Sequence, residues 1–267
     1  MQPTKPTESP RQVDLGCGAL LSRLVVPIKL GQSDDRGLAI ARRLAERWTL
    51  PLHLRPLIHH EADTIDLTDD HLDPVVTLAD ELMPGDLVVI GTNQQEVGHP
   101  AMSFAQALSH EWDGPIVMVG PNAKLDVSLD GDVVAALDGS SLAPRGMRTV
   151  ALFAAALGSR LGFVRVVSPG AITGTQRLGA RRESAAEAAY AIDLTEPIDL
   201  RDVSWTVIHT DDAASALADF VDRHDAAFLA ITSPGMFALI RPRFGSICMA
   251  TVQASPRPVL VTRPADF

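Results

Sequence analysis

Short apolar runs alternate with amphipathic stretches along most of the chain. Leu24-Val25-Val26-Pro27-Ile28 reads as a buried strand, and Ser33-Asp34-Asp35 supplies a cap and acidic first turn for a helix carrying Leu38, Ala41, Leu44, Ala45 and Trp48. Pro51-Leu52-His53-Leu54 opens a second strand, His71 to Leu82 forms a helix, and Asp86 to Gly91 is a strand. A helix near Phe104–Glu111 leads into the strand Pro115 to Val119. The order then restarts. Asp132 to Leu137 is a strand, Asp138-Gly139-Ser140-Ser141 a turn that caps a helix, and Met147, Val150, Ala151, Ala154 and Leu157 share one face of that helix. Phe163–Val167 and Trp205–Ile208 read as strands, with a surface helix between them from Arg182 to Ala191. A helix from Asp211 to His224 turns Ala213, Leu217, Phe220 and Val221 inward. Phe228–Ile231 and Pro258–Val261 are the last strands. Residues 1 to about 21 show no sustained periodicity and read as a flexible arm.

The two halves align as text. Leu87-Val88-Val89-Ile90-Gly91-Thr92 answers Phe228-Leu229-Ala230-Ile231-Thr232-Ser233, and Gly114 to Val119 answers Arg257 to Thr262. A period of about 140 residues is a duplicated domain, since solenoid repeats span roughly 20–50. The linker, Gly120 to Gly131, is rich in turn formers. Strands alternating with helices predict an α/β chain of two tandem Rossmann-like units, each an open, twisted, mostly parallel five-stranded sheet with helices on both faces.

Composition narrows the function. Of 267 residues, 46% are hydrophobic but only 4% aromatic, which suits Ala/Val/Leu/Ile-rich parallel strands rather than an aromatic-lined groove. A formal charge of −10 argues against nucleic acid as a partner. Cys17 and Cys248 cannot build a disulfide framework, which points to a reduced, cytoplasmic setting. The polar, Pro-rich start is no secretory signal, and no apolar run is long enough to span a membrane.

In an open parallel sheet, ligands bind beyond the carboxyl ends of the strands where strand order reverses. In the second half those loops are Asp138-Gly139-Ser140 and Thr232-Ser233-Pro234-Gly235 through Gly245-Ser246, with nine residues between Gly235 and Gly245. Glycines let backbone amides approach phosphate oxygens, and a following helix N-terminus adds oriented donors. Ser246 would cap that helix. This arrangement resembles the universal stress protein family over residues 24–264, as two tandem copies. ATP-binding members carry Gly-x2-Gly-x9-Gly-Ser/Thr, and here the second copy reads Thr232-x2-Gly235-x9-Gly245-Ser246. The opening strand and turn match as Val133-Val134-Ala135-Ala136-Leu137-Asp138-Gly139-Ser140.

The resemblance implies that Ala136, Asp138, Gly139, Ser140, Val166, Thr232, Gly235, Gly245 and Ser246 bind the nucleotide, with Asp138 and the strand end near Val166 on the adenine side and Gly235, Gly245 and Ser246 at ribose and phosphates. It implies ATP or another adenine nucleotide as the ligand, with Mg²⁺, held by residues 131–267, and a degenerate copy at 22–122. Two departures work against phosphate approach: Thr232 brings a branched Cβ, and Pro234 removes an amide. In the first copy Lys29 replaces the aspartate, Gln94 the second glycine, and Ser103-Phe104 the Gly-Ser pair, although Gly91 is present. Packing is the expected role of that copy.

Other features weigh less. Arg241 and Arg243 either neutralise phosphates or are ordinary surface arginines, and Asp138 either binds or merely caps. His59-His60-Glu61 lacks the spacing of a metal site. Cys248 is either a perturbed thiol or a small buried hydrophobe. No catalytic machinery is visible, so ATP hydrolysis should be very slow at most. The leading expectation is a regulatory adenine-nucleotide binder. The rival is a nucleotide-free interaction module, paired through Pro258 to Thr262 as a homodimer or as an intramolecular pseudo-dimer.

Overall fold

The computed structural model describes residues 13–14, 20–29, 36–57, 73–92, 104–137, 146–168, 188–189, 193, 198, 200, 202–232 and 244–263. In chain order the elements are β1 (Val13–Asp14), β2 (Leu20–Leu21), β3 (Arg23–Lys29), α1 (Arg36–Trp48) and β4 (Leu52–Leu57). Next come α2 (Pro74–Glu81), β5 (Asp86–Gly91), α3 (Phe104–Glu111) and β6 (Ile116–Val119). The second half holds β7 (Val133–Leu137), α4 (Met147–Leu157), β8 (Leu161–Val167), β9 (Val203–His209), α5 (Ala213–Arg223), β10 (Phe228–Thr232), α6 (Phe244–Ala254) and β11 (Val259–Thr262).

Nine strands form one sheet in the order β4-β3-β5-β6-β11-β10-β7-β8-β9. Among the described residues every pairing of this sheet within a half is parallel, and its sole antiparallel pair is β6 with β11. Val117 lies opposite Leu260, flanked by Met118↔Val259 and Ile116↔Val261. Val117 and Leu260 are counterparts in the repeat, so the last strands meet as two copies meet about a two-fold axis. An edge that a lone unit would expose is thereby covered.

Alternate residues of each strand feed two cores. One face packs Leu24, Val26, Leu87, Val89, Phe163, Phe228 and Leu260 under α1 and α4. The other packs Val25, Val88, Met118, Val134, Val164, Leu229 and Val261 under α2, α3, α5 and α6. Both cores run unbroken from one half into the other. Phe153 of α4 sits edge-on to Trp48 of α1 at 5.6 Å and to Phe228 of β10 at 5.0 Å, so three aromatic rings staple the halves together.

The linker is bound rather than loose. Arg36, Arg43 and Arg47 fall on one face of α1. Arg36 Nε donates to the Gly120 carbonyl at 3.1 Å, Arg43 Nη1 to Leu125 at 2.8 Å, and Arg47 Nη1 to the Asp130 carboxylate at 2.7 Å. On its other side, Lys124 Nζ donates to Asp222 at 2.6 Å, and Asn122 to the Gln253 carbonyl at 2.8 Å.

The structure alters several expectations. Val13–Asp14 pairs with Leu20–Leu21, and Leu21 is buried in the core, so the end of the supposed arm belongs to the fold. Two-residue strands leave no readable periodicity. The second half has the five expected strands, whereas the first supplies four among the described residues. Residues 58–72, between β4 and α2, lie outside the described residues. The turn Asp138–Ser141 does not cap α4. That helix begins at Met147, and its cap residue is Gly146, which makes no side-chain cap hydrogen bond. Asp-Gly-Ser is a turn signal whether or not a helix follows at once, so it does not fix where α4 starts. The Arg182–Ala191 helix lies outside the described residues except for Ala188 and Ala189, which are helical.

Candidate functional site

In the second half β8 and β9 lie on one side of β7, its first strand in the chain, and β10 and β11 lie on the other, so strand order reverses between β7 and β10. These two strands are parallel neighbours, with Ile231 beside Ala136. Their carboxyl ends, Leu137 and Thr232, open the crevice where such sheets bind ligands.

The described residues give the crevice a floor and one wall. Ala136, Val166, Ile208 and Ile231 are all half-buried and packed against the same core, which makes an apolar, partly open surface at the strand ends. Ala136 and Val166 were both expected to bind the nucleotide, Val166 on its adenine side; Ile208 and Ile231 were not singled out. Their signal was present in the period-two pattern, since Ile231 points to the same face as Leu229. The wall is α6, which packs on this face through Val252. Gly245 and Ser246 lie in its first turn. The helix starts at Phe244, so Ser246 stands inside it rather than at its cap. Unpaired amides of a first turn carry partial positive charge suited to an anion. Asp138, Gly139, Ser140 and Gly235, with Pro234, Arg241 and Arg243, lie outside the described residues.

Thr232 ends β10 in parallel register with Thr262, and the two Oγ1 atoms are 3.4 Å apart. Positive φ among described non-glycine residues occurs at Thr49 and Asp225, so Thr232 needs no left-handed backbone. Its side chain lies against Gly146 at the start of α4. Neither Gly146 nor Thr262 was singled out in the sequence; their relation to Thr232 exists only in three dimensions.

Cys248 sits in the second turn of α6, half-buried against the core, and burial pushes its thiol up to about 12. A thiol in this state is inert at neutral pH, which favours the packing role. Asp212 caps α5 by accepting from the Ser215 amide at 3.1 Å, and hydrogen bonds from the Ser215 hydroxyl first and its amide second lower the Asp212 pKa. Among the described residues no group of three His, Cys, Asp or Glu side chains is placed to hold a metal, and no helix is long and apolar enough to cross a membrane.

The universal stress protein family model matches residues 131–263. Residues 131–263 belong to the universal stress protein family. They contain the β7/β10 crevice. Solved structures extend the likeness of fold over both halves. A universal stress protein from Archaeoglobus fulgidus DSM 4304 is 14% identical, with 91% of this chain and 88% of that chain covered at a TM-score of 0.56. A universal stress protein from Pseudomonas aeruginosa UCBPP-PA14 is 13% identical, with 91% and 94% covered at 0.56. A half-length match is the Archaeoglobus fulgidus universal stress protein in complex with dAMP, at 18% identity, 50% and 98% coverage and a TM-score of 0.38. No curated protein matches the chain significantly.

Proposed function

We propose that the second half of this chain binds an adenine nucleotide as a regulatory ligand at the β7/β10 crevice. The observation that carries the reading is the reversal of strand order with the first turn of α6, including Gly245 and Ser246, on the face floored by Ala136, Val166 and Ile231. That combination suits a molecule with an apolar planar end and an anionic end. The half-buried floor would take the base, and the amides of α6 with the Gly235 loop would take ribose and phosphates. Asp138 follows β7 in sequence and would hydrogen-bond the nucleoside. Mg²⁺ would arrive with the phosphates, because it binds through phosphate oxygens and water more readily than through dedicated protein cages.

Residues 131–267 would then be the binding unit and 22–122 a packing unit. Binding would alter the surface around 232–246 and so bias partner choice. No residue can be named as a base or as a γ-phosphate lysine, so turnover of ATP would be very slow at most. Native mass spectrometry of freshly isolated protein, then of protein given MgATP, tests the reading. Bound adenine nucleotide supports it, and its absence even at millimolar nucleotide rejects it.

The β6–β11 pairing favours a second reading, a nucleotide-free interaction module that carries its own pseudo-dimer within one chain. Assembly and melting temperature would then be indifferent to nucleotide.

A further inference from the structure

We infer that Gly146 and Thr232 are a matched positioning pair for the β7/β10 crevice, with Thr262 completing their seat. The inference rests on the nucleotide reading above and adds what holds that site in register. Gly146 has φ −80° and ψ −9°, a conformation open to any residue, so its backbone does not call for glycine. Space does. An added Cβ would lie 2.3 Å from Thr232 Oγ1, 2.6 Å from Thr262 Oγ1 and 2.9 Å from Thr232 Cγ2. Contacts this close do not occur between real side chains, so a Cβ at position 146 would push α4 away from the strand ends.

Connectivity gives the contact its meaning. β7 ends at Leu137, Gly146 is the cap residue of the helix that comes next in the chain, and β10 ends at Thr232. The Gly146–Thr232 contact thus ties the return point of one crevice segment to the departure point of the other. The motif of the second half calls for glycine where Thr232 stands. Here the bulk is on the strand, and the missing Cβ is on the helix that faces it. The threonine is held by its register and hydroxyl contact with Thr262. Sequence comparison of the loop alone would score Thr232 as a loss of function. The packing shows how the strand end and α4 accommodate it.

The test is a double-variant cycle on the full chain with Gly146→Ala, Thr232→Ala and both together. MgATP affinity is measured by calorimetry well below the melting temperature, and amide exchange is followed over Met147–Val150. Gly146→Ala should weaken affinity about tenfold and speed exchange, and adding Thr232→Ala should restore most of both. Strictly additive effects on affinity and exchange would overturn the pairing. A shift in melting temperature with unchanged affinity would overturn the positioning role, because packing alone would do that. Should the unaltered chain take up no nucleotide, the nucleotide reading fails and the positioning role with it, while coupling in exchange alone would still show the packing contact.

Discussion

The two halves share a strand order but differ at the ends of their strands. At the amino ends each half closes with an Arg–Asp fork. Arg23 donates to Asp86 through Nε at 2.7 Å and Nη2 at 2.8 Å; Arg160 donates to Asp132 at 2.8 and 2.9 Å. Asp86 is buried and also accepts from the Met83 amide, whereas the Arg160 pair is exposed. At the carboxyl ends the halves diverge. The first half ends its paired strands β3 and β5 at Lys29 and Gly91, and the second ends β7 and β10 at Leu137 and Thr232, with Gly245-Ser246 beginning the next helix. Both halves preserve what packing needs, and the proposed anion site belongs to the second.

That contrast is sharpest in ligand uptake. Gly235→Val should abolish MgATP binding by filling the phosphate path, and Asp138→Ala should weaken it by roughly tenfold for a lost charged hydrogen bond. Lys29→Ala, at the corresponding place in the first half, should leave it unchanged; equilibrium dialysis of the three variants decides. Loss of binding with Lys29→Ala would reverse the assignment of the halves.

The joint between the halves can be broken next. Phe153→Ala removes the ring between Trp48 and Phe228 and should cost about 3–5 kcal/mol in denaturant unfolding, in one transition that melts both halves. Two separate transitions would show that the cores are independent. The ends of β6 and β11 then offer a graded comparison. A Cβ on Gly120 would lie 2.0 Å from the Val252 carbonyl oxygen, so Gly120→Ala should cost about 3 kcal/mol. Arg263 is the counterpart of Gly120 and donates to the Ser109 carbonyl at 3.1 and 2.6 Å; Arg263→Ala should cost about 1–2 kcal/mol.

The smallest effect concerns Cys248. Its thiol is raised from an ordinary 9.0 to about 12 by burial, so folding favours the protonated form. The resulting stability is intact below pH 9 and falls as pH climbs toward about 12. Cys248→Ala should flatten that alkaline decline in urea melts, and maleimide labelling of Cys248 at pH 8 should be slow in the folded protein.

Regular elements were legible because their signals are local. Phe104–Glu111 matches α3, and the buried positions Met147, Val150, Ala151, Ala154 and Leu157 all fall inside α4. The pairing of Val117 with Leu260 was foreshadowed by the textual repeat, since equivalent edges can pair about a two-fold axis. Less was legible wherever meaning depends on a distant residue. The arginines of α1 carry no sign of the carbonyls they hold across more than 80 positions. Thr232 looks like a defect until Gly146 and Thr262 are seen beside it. The cap of α4 was misplaced because Asp-Gly-Ser is a strong turn signal that need not open directly into a helix, and α4 begins at Met147.

The most direct test is the stoichiometry of MgATP binding to the full-length chain, measured by titration calorimetry. One nucleotide per chain is the expected result, at a site lost in Gly235→Val. Two per chain, or none at saturating nucleotide, would contradict the division of labour between the halves.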